Sequence, residues 1–154
     1  MGIRLILILT LSLVACGSDG SPTDGADQSP CSAVEGKLTL HVASLVPEGL
    51  GTACEQGSSL EAFLLVPGRD SCALDIKGNK ISGCCGDVAS GQNPYIDLYF
   101  REGETQQALG TQSKVVYLPN ESEPIVELSF DGTPFDGSSY DSDNDGTSNA
   151  EEFC

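Results

Sequence analysis

The sequence contains no tryptophan, a single histidine, and only seven lysine and arginine residues in 154 positions. Without tryptophan, the Cys, Trp, Cys pattern of immunoglobulin domains is missing. With His41 as the only histidine, neither a Ser/His/Asp triad nor a zinc site with several histidine ligands is supported. Seven basic residues against 23 acidic ones give a formal net charge of −16. This charge repels nucleic acid and attracts cations.

The N-terminal apolar run is too short to cross a membrane. Residues 5–14 follow the positive charge of Arg4, and a run of about ten residues suits a signal peptide, whereas a membrane-spanning helix needs roughly 20. The run ends in the sequence Leu13-Val14-Ala15-Cys16. These four residues resemble the lipobox of a bacterial lipoprotein precursor.

This resemblance implies a signal peptide at residues 1–15 that is removed before Cys16. The new N-terminal cysteine would carry thioether-linked diacylglycerol and an N-acyl chain such as palmitate, and two or more chains anchor a protein stably. Gly17 favours the outer membrane, because an Asp at this position retains lipoproteins in the inner membrane of many Gram-negative bacteria. The alternative is an ordinary secretory signal that merely ends near Cys16.

The segment after Cys16 has the composition of a tether. Residues 17–30 consist mainly of Gly, Ser, Asp and Pro and contain no large apolar side chain, so they have nothing to bury against the entropy of ordering. We therefore expect residues 16–30 to be a flexible, lipid-bearing tether. A folded domain is expected at residues 31–135 and a separate segment at residues 136–154.

Cysteine usage points to disulfides. Acylation of Cys16 leaves six of the seven cysteines, and an even number in an exported chain indicates disulfide bonds. Cys84 and Cys85 are adjacent, and a ring between neighbours is strained, so we expect them to bond to different partners. The competing interpretation is a metal cluster, but the sequence has no CxxC pair. The candidate disulfide cysteines are Cys31, Cys54, Cys72, Cys84, Cys85 and Cys154.

Short strands are predicted through most of the domain. Apolar and polar side chains alternate with the period of two that is typical of strands with one buried face, and no long helical period separates them. The pattern predicts an all-β fold, an antiparallel sandwich of immunoglobulin-like or prealbumin-like type. The predicted strands are residues 37–42, 60–66, 72–77, 80–81, 95–100, 114–118 and 125–130, the second being alternatively a short helical turn.

Three details of these strands are specific predictions. Thr39 and His41 should face solvent, and the residues Gly78-Asn79 should form a hairpin turn. The Gly-rich residues 82–93 should form a loop. Tyr95 and Tyr99 should lie on the outer face of one strand, as a ligand-binding surface or as ordinary cross-strand packing.

The chain closes with a calcium-binding pattern. Residues 141–152 match D-x-[DN]-x-[DN]-G-x₅-E, which supplies the oxygen ligands that calcium needs, while Gly146 permits the sharp turn. The predicted ligands are Asp141, Asp143, Asp145, Thr147 through its carbonyl, Asn149 directly or through water, and Glu152.

The residues before this loop do not resemble those of a complete EF-hand. Residues 131–140 contain Pro and Gly and have no helical pattern. The loop more closely resembles one repeat of the thrombospondin type 3 class, which also occurs in dockerin-like and other bacterial surface proteins. Cys154 could tie the loop to the domain by a disulfide. The alternative is an acidic, solvated tail.

Two classes of function follow from the sequence. The first, which we prefer, is a lipid-anchored, non-catalytic binding or structural module of the cell envelope, with one low-affinity calcium site. Its partner would be an envelope protein or a glycan. The second is a small disulfide-rich hydrolase or enzyme inhibitor. Catalysis has little support, because the sequence offers no clear nucleophile and base pair and no phosphate-binding loop.

Overall fold

The computed structural model describes residues 31–32, 37–48, 50, 59–120 and 124–153. Cys16, Cys54 and Cys154 lie outside the described residues, as do the predicted signal peptide and the predicted tether. Predictions about signal cleavage, lipidation and any disulfide of these cysteines therefore stay predictions. None of the helices in the described ranges is long and apolar enough to cross a membrane.

The described chain forms strands and one short helix. The eight strands make one mixed sheet in the order β7-β1-β4-β3-β2-β5-β6-β8, which curls into a half-barrel. The elements are β1 (Leu38–Leu45), β2 (Leu60–Leu65), β3 (Cys72–Lys77), β4 (Lys80–Val88), β5 (Tyr95–Glu102), β6 (Ala108–Val115), β7 (Ile125–Leu128), β8 (Phe135–Asp136) and α1 (Asn149–Phe153).

The predicted all-β, disulfide-bonded fold is confirmed, whereas the finer prediction of an antiparallel sandwich is not. Most neighbouring strands are antiparallel, but β1 and β7 run parallel. Parallel neighbours need a crossover connection rather than a hairpin. Here the chain passes from β6, near one edge of the sheet, to β7 at the opposite edge, where β7 pairs with β1. Alternation along single strands predicts buried faces, but it does not determine this long-range pairing.

The core is built from side chains on one face of the strands. Ile96, Leu98 and Phe100 alternate along β5 and are fully buried, as predicted, while Tyr95 is exposed on the opposite face. Phe130, in the segment after β7, is also fully buried. The remaining large, fully buried side chains are Leu38, Leu40, Leu50, Leu64, Ile81, Leu109, Leu118 and Val42.

The predicted loop over residues 82–93 is wrong for residues 82–88, because β4 continues to Val88, while residues 89–93 do connect β4 to β5 without regular structure. Glycine suggested a loop, yet Gly83 lies where two strands approach closely, since a Cβ there would stand only 2.8 Å from the Leu74 side chain. Neighbouring residues of a strand point to opposite faces, and the two adjacent cysteines follow this rule. Cys84 is exposed and Cys85 is fully buried.

The two adjacent cysteines bond to different partners, as predicted. Cys84 is joined to Cys31, and Cys85 is joined to Cys72. The first bridge connects the beginning of the folded domain to β4, and the second connects the neighbouring strands β3 and β4. Both disulfides are therefore attached to strand β4 and not to a loop.

The prediction that Thr39 faces solvent is wrong. Thr39 is only 2% exposed, on β1, which lies inside the sheet between β7 and β4. Its hydroxyl donates to the backbone carbonyl of Ser32 at 3.4 Å. His41 remains partly exposed on the same face.

The predicted hairpin turn between β3 and β4 agrees with the structure, but the predicted start of β6 does not. The turn at Gly78-Asn79 is confirmed, with Lys77 opposite Lys80 in the β3–β4 hairpin. β6 begins at Ala108, six residues before the predicted run at 114–118. Its first half contains Gly110, and Gln112 is buried despite being polar, so the sequence there shows no clear apolar alternation.

Candidate metal centre

The acidic C-terminal segment is held against the sheet by the side chain of Asn149. Its Nδ2 donates to the backbone carbonyl of Ala108 at 2.7 Å. Its Oδ1 accepts hydrogen bonds from the backbone N–H of Ser142 at 2.9 Å and from Nε2 of Gln107 at 3.0 Å. Asn149 is only 4% exposed. One amide thus joins the first residues of the loop, the beginning of α1 and the edge of β6.

Asp141 organises the turn of the loop. Its Oδ1 accepts a hydrogen bond from the backbone N–H of Asn144 at 2.7 Å, and its Oδ2 accepts one from Gly146 at 3.0 Å. Both donors lie in the left-handed region, with φ of 58° at Asn144 and 96° at Gly146. Glycine and asparagine adopt this conformation more readily than other residues, so these two residue types allow the chain to wrap around the Asp141 carboxylate.

Two further aspartates complete the acidic cluster. Oδ1 of Asp143 accepts from the backbone N–H of Asp145 at 3.2 Å, and Oδ1 of Asp145 accepts from Thr147 at 2.8 Å. One carboxylate oxygen from each of Asp141, Asp143 and Asp145 lies within 4.8 Å of the others. Oxygens that share a calcium ion at about 2.3–2.6 Å lie no more than about 5 Å apart. The three aspartates therefore fit the spacing of a calcium ligand set.

A capping box begins the helix beside the cluster. Ser148 donates to Oε2 of Glu151 through its backbone N–H at 3.1 Å and through its hydroxyl at 3.0 Å. These two hydrogen bonds, the backbone one first, lower the pKa of the Glu151 carboxyl. The arrangement satisfies free donors at the helix N-terminus. It leaves Glu151 engaged in capping, while the next residue, Glu152, belongs to the predicted ligand set.

Glu152 is affected by the charges of the three aspartates, although its carboxylate is not one of the group that lies within 4.8 Å. Partial desolvation and then the charges of Asp143, Asp145 and Asp141 raise the pKa of the Glu152 carboxyl. The negative field of the three aspartates thus extends to the far side of the loop, where the pattern places the last ligand.

The structure brings together some of the predicted ligands and uses others differently. The three aspartates converge, and Glu152 lies within their electrostatic reach. Asn149 uses both ends of its amide for docking, which leaves a bridging water as its simplest route to a metal. The backbone N–H of Thr147 bonds to Asp145, and its carbonyl stays the predicted ligand atom.

His41 forms a pair with Glu127 of the neighbouring strand β7. Its Nδ1 lies 2.6 Å from Oε2 of Glu127, and the two residues are directly opposite in the parallel β1–β7 ladder. Within the described ranges, the His41 ring contacts this carboxylate. The pair is a cross-strand contact between β1 and β7.

The outer face of β5 and β6 carries exposed tyrosine side chains. Tyr95 is 69% exposed and lies opposite Val115, which is 52% exposed; Tyr117, two residues farther along the chain, is 69% exposed. Tyr99 is less exposed, and its ring lies 6.4 Å from that of Phe63 on β2. The predicted surface at Tyr95 is accessible, whereas Tyr99 takes part in cross-strand packing.

Sequence reasoning missed Val115 and Tyr117 as members of this surface. We define the tyrosine face as Tyr95, Val115 and Tyr117. The signal that could have found it is the alternation of Val115, Val116, Tyr117 and Leu118, in which the first and third are exposed and the others are buried.

Comparison with known proteins identified no relative. No protein-family model, no curated protein and no solved structure matches the chain. Support for a function therefore comes from the sequence motifs and from the geometry of the described residues.

Proposed function

We propose that this chain is a lipid-anchored, non-catalytic binding or structural module of the bacterial cell envelope. Cys16 anchors it to the outer membrane, residues 17–30 form its tether, and residues 141–152 bind one calcium ion. The observation that carries the calcium proposal is the approach of three aspartate carboxylates to within 4.8 Å on a loop docked against the sheet. The lipobox and the tether composition support the anchor.

A cation would relieve a repulsion that water and salt leave in place. The three carboxylates lie closer together than the screening length of about 8 Å at physiological ionic strength. Backbone N–H groups of the loop already hold the Asp141 carboxylate in position. Calcium sites in extracellular modules have dissociation constants of about 10⁻⁴ to 10⁻³ M, so a weak site would still fill outside the cell.

The tyrosine face is the surface best suited to a partner. Tyrosine is enriched at protein interfaces because it combines a large apolar ring with a hydroxyl that can hydrogen-bond. None of Tyr95, Val115 and Tyr117 is charged, although the chain carries a net charge of −16. An envelope protein or a neutral glycan would meet little repulsion at this surface.

Lipidation is tested on the precursor expressed in a Gram-negative host. Mass spectrometry of the N-terminal peptide should show Cys16 with diacylglycerol and an N-acyl chain, and the protein should partition into detergent. Cys16→Ser should abolish both results, whereas the neighbouring substitution Ser18→Ala should change neither. Recovery of an unmodified Cys16 peptide in the soluble fraction would refute the anchor.

Calcium binding is tested by calorimetry on the mature chain. Wild-type protein should release or absorb heat on titration with millimolar calcium, and Asp145→Ala should lose this signal. Asp75→Asn removes one negative charge from the exposed β3 position and serves as the matched control. A wild-type titration without heat, together with an unchanged melting temperature in calcium, would contradict the site.

The tyrosine face is tested by pull-down from envelope extracts and on immobilised envelope polysaccharide. The double substitution Tyr95→Ser and Tyr117→Ser should remove retention of the partner. Leu45→Ser is the control, because Leu45 is also an exposed apolar residue, at 46%, but lies on β1. Equal retention by the double variant would exclude this face.

A further inference from the structure

The two described disulfides differ in their access to solvent. Cys85 is fully buried, so the Cys72–Cys85 bridge has one end in the core. Cys84 is exposed, although its bridge partner Cys31 is only 7% exposed. Because exchange begins with the attack of a thiolate on a disulfide sulfur, solvent access makes a disulfide labile. Of these two bridges, Cys31–Cys84 is therefore the one open to external thiols.

A histidine lies beside the exposed end of this bridge. His41 on β1 and Cys84 on β4 are directly opposite in the antiparallel ladder, and the Cβ atoms of such partners are about 4.5–5.5 Å apart on one face of the sheet. That face is the outer one, because the next pair in the same ladder, Leu40 and Cys85, is fully buried. The side chains of His41 and Cys84 are therefore neighbours on the outer face.

A carboxylate orients the His41 ring from the strand on its other side. Oε2 of Glu127, directly opposite His41 on β7, lies 2.6 Å from Nδ1. An ionised carboxylate only accepts hydrogen bonds, so Nδ1 donates to Glu127, and Nε2 is the ring nitrogen that exchanges a proton. Glu127, His41 and Cys84 thus form one row across β7, β1 and β4. A carboxylate, an imidazole and a cysteine in this order are the groups that activate a thiol.

Apart from His41, the described charged groups beside this row are acidic. They are Glu127 on β7 and Asp75 on β3, whose partner on β4 is two residues from Cys84. Lys80 is four residues from Cys84, about 13 Å along the strand. The two carboxylates disfavour a thiolate at Cys84, whereas a protonated His41 favours it. The reactivity of this cysteine therefore depends on His41.

We propose that the Cys31–Cys84 bridge is a thiol-exchange site, at which small external thiols react with the sulfur of Cys84. His41, held by Glu127, carries the proton that moves in each step. The site uses none of the residues of the calcium loop or of the tyrosine face. It is therefore independent of the proposed function, and either could fail without the other.

The exchange takes two steps. In the first, His41 accepts the proton of an external thiol, the resulting thiolate attacks the Cys84 sulfur, and the S–S bond breaks with its electron pair on Cys31, which takes the proton from His41. Cys84 then carries the external thiol in a mixed disulfide. In the second step, another external thiol gives its proton to His41 and attacks the bound external sulfur, which releases Cys84 as a thiolate. Two thiols are thereby oxidised to one disulfide, and the protein bridge is reduced.

The first test adds millimolar L-cysteine to the full mature chain without denaturant. After an acid quench and alkylation, peptide mass spectrometry should find L-cysteine bound to Cys84 and an alkylated Cys31. The Cys31–Cys84 bridge should open at least about tenfold faster than Cys72–Cys85, which is the internal control for access. Equal rates for the two bridges, or L-cysteine bound first at Cys31, would overturn the proposal.

The second test isolates the contribution of His41. Cys31→Ser leaves Cys84 as a thiol, and its alkylation by iodoacetamide is followed across a pH series. Adding His41→Gln should slow alkylation at least about fivefold near pH 6, because the thiolate is the reactive form and loses its positive neighbour. The two rates should converge at high pH, where the thiol ionises in both proteins. Equal rates across the whole series would overturn the proposal.

Two further variants in the Cys31→Ser background separate charge from packing. His41→Lys restores a positive charge and should recover most of the alkylation rate near pH 6, which a purely structural role of His41 does not predict. Lys77→Gln removes a positive charge at the β3–β4 turn and should leave the rate unchanged. If His41→Gln does not fold, Cys84 is compared with a synthetic peptide of residues 80–84. A peptide thiol that reacts as fast as Cys84 near pH 6 would overturn the proposal.

Discussion

Gln107, in the turn between β5 and β6, donates a hydrogen bond to the side-chain oxygen of Asn149, which begins α1. The two residues are 42 positions apart in the chain. Asn149 also binds the backbone of Ala108, the first residue of β6. Through this contact the acidic C-terminal segment becomes part of the folded domain, because its position depends on β6 rather than on the loop alone.

Asn149→Ala should release the C-terminal segment. The substitution removes the hydrogen bonds to Ala108, Gln107 and Ser142, and we expect a loss of about 1–3 kcal/mol in the free energy of unfolding. Thermolysin should then cut within residues 136–153 faster than in the wild type. Asn93→Ala, at an exposed position, is the control; equal cleavage of all three proteins would argue against docking by Asn149.

Asp131→Asn should reduce stability in a pH-dependent way. The backbone N–H of Leu45 donates to Oδ1 of Asp131 at 2.8 Å and, with the Ser44 hydroxyl, lowers the pKa of this carboxyl below its ordinary value of 3.8. A lowered pKa stabilises the fold above 3.8, and this contribution disappears as the pH falls through the folded-state pKa.

The measurement is urea unfolding of Asp131→Asn and of the wild type across a pH series. The variant should be less stable by about 1 kcal/mol at neutral pH, a modest value because the carboxylate is exposed. The difference should shrink as the pH falls below 3.8. Asp75→Asn should match the wild type throughout, and a constant difference at every pH would contradict the role of the Asp131 charge.

The two described disulfides should contribute unequally. Cys31–Cys84 closes a separation of 53 residues and Cys72–Cys85 one of 13. Chain-entropy arguments give about 4 kcal/mol for the first and about 3 kcal/mol for the second. Paired serine substitutions compared by denaturant unfolding should show this order. Equal losses would indicate that strand packing around β4, rather than loop closure, sets the effect.

Cys154→Ser should expose a partner cysteine. Because four of the six candidate disulfide cysteines are paired with one another, a third bridge would join Cys54 to Cys154. The lipidated wild-type protein should therefore show no free thiol, because the Cys16 sulfur would be held in a thioether, and the variant should gain one reactive thiol at Cys54 and greater protease sensitivity over residues 131–153. Two free thiols in the exported wild-type protein would refute the third bridge.

Local patterns predicted much of the sheet. The alternation along residues 72–77 matches β3, and the alternation along residues 95–100 lies within β5, because a two-residue period directly reports a strand with one buried face. The same rule failed where glycine and polar residues occupy a strand. Gly83 lies in the predicted loop over residues 82–93, but its small size allows β4 to approach Leu74 of β3 closely.

The sequence by itself determined the β character of the chain, the separate partners of Cys84 and Cys85, and the acidic pattern of residues 141–152, because each depends on residue type and short spacing. Only the tertiary structure decided the parallel pairing of β7 with β1, the burial of Thr39 and the docking of Asn149 on β6. These features join residues distant in the chain. Their positions depend on which strands become neighbours, and local alternation does not encode that choice.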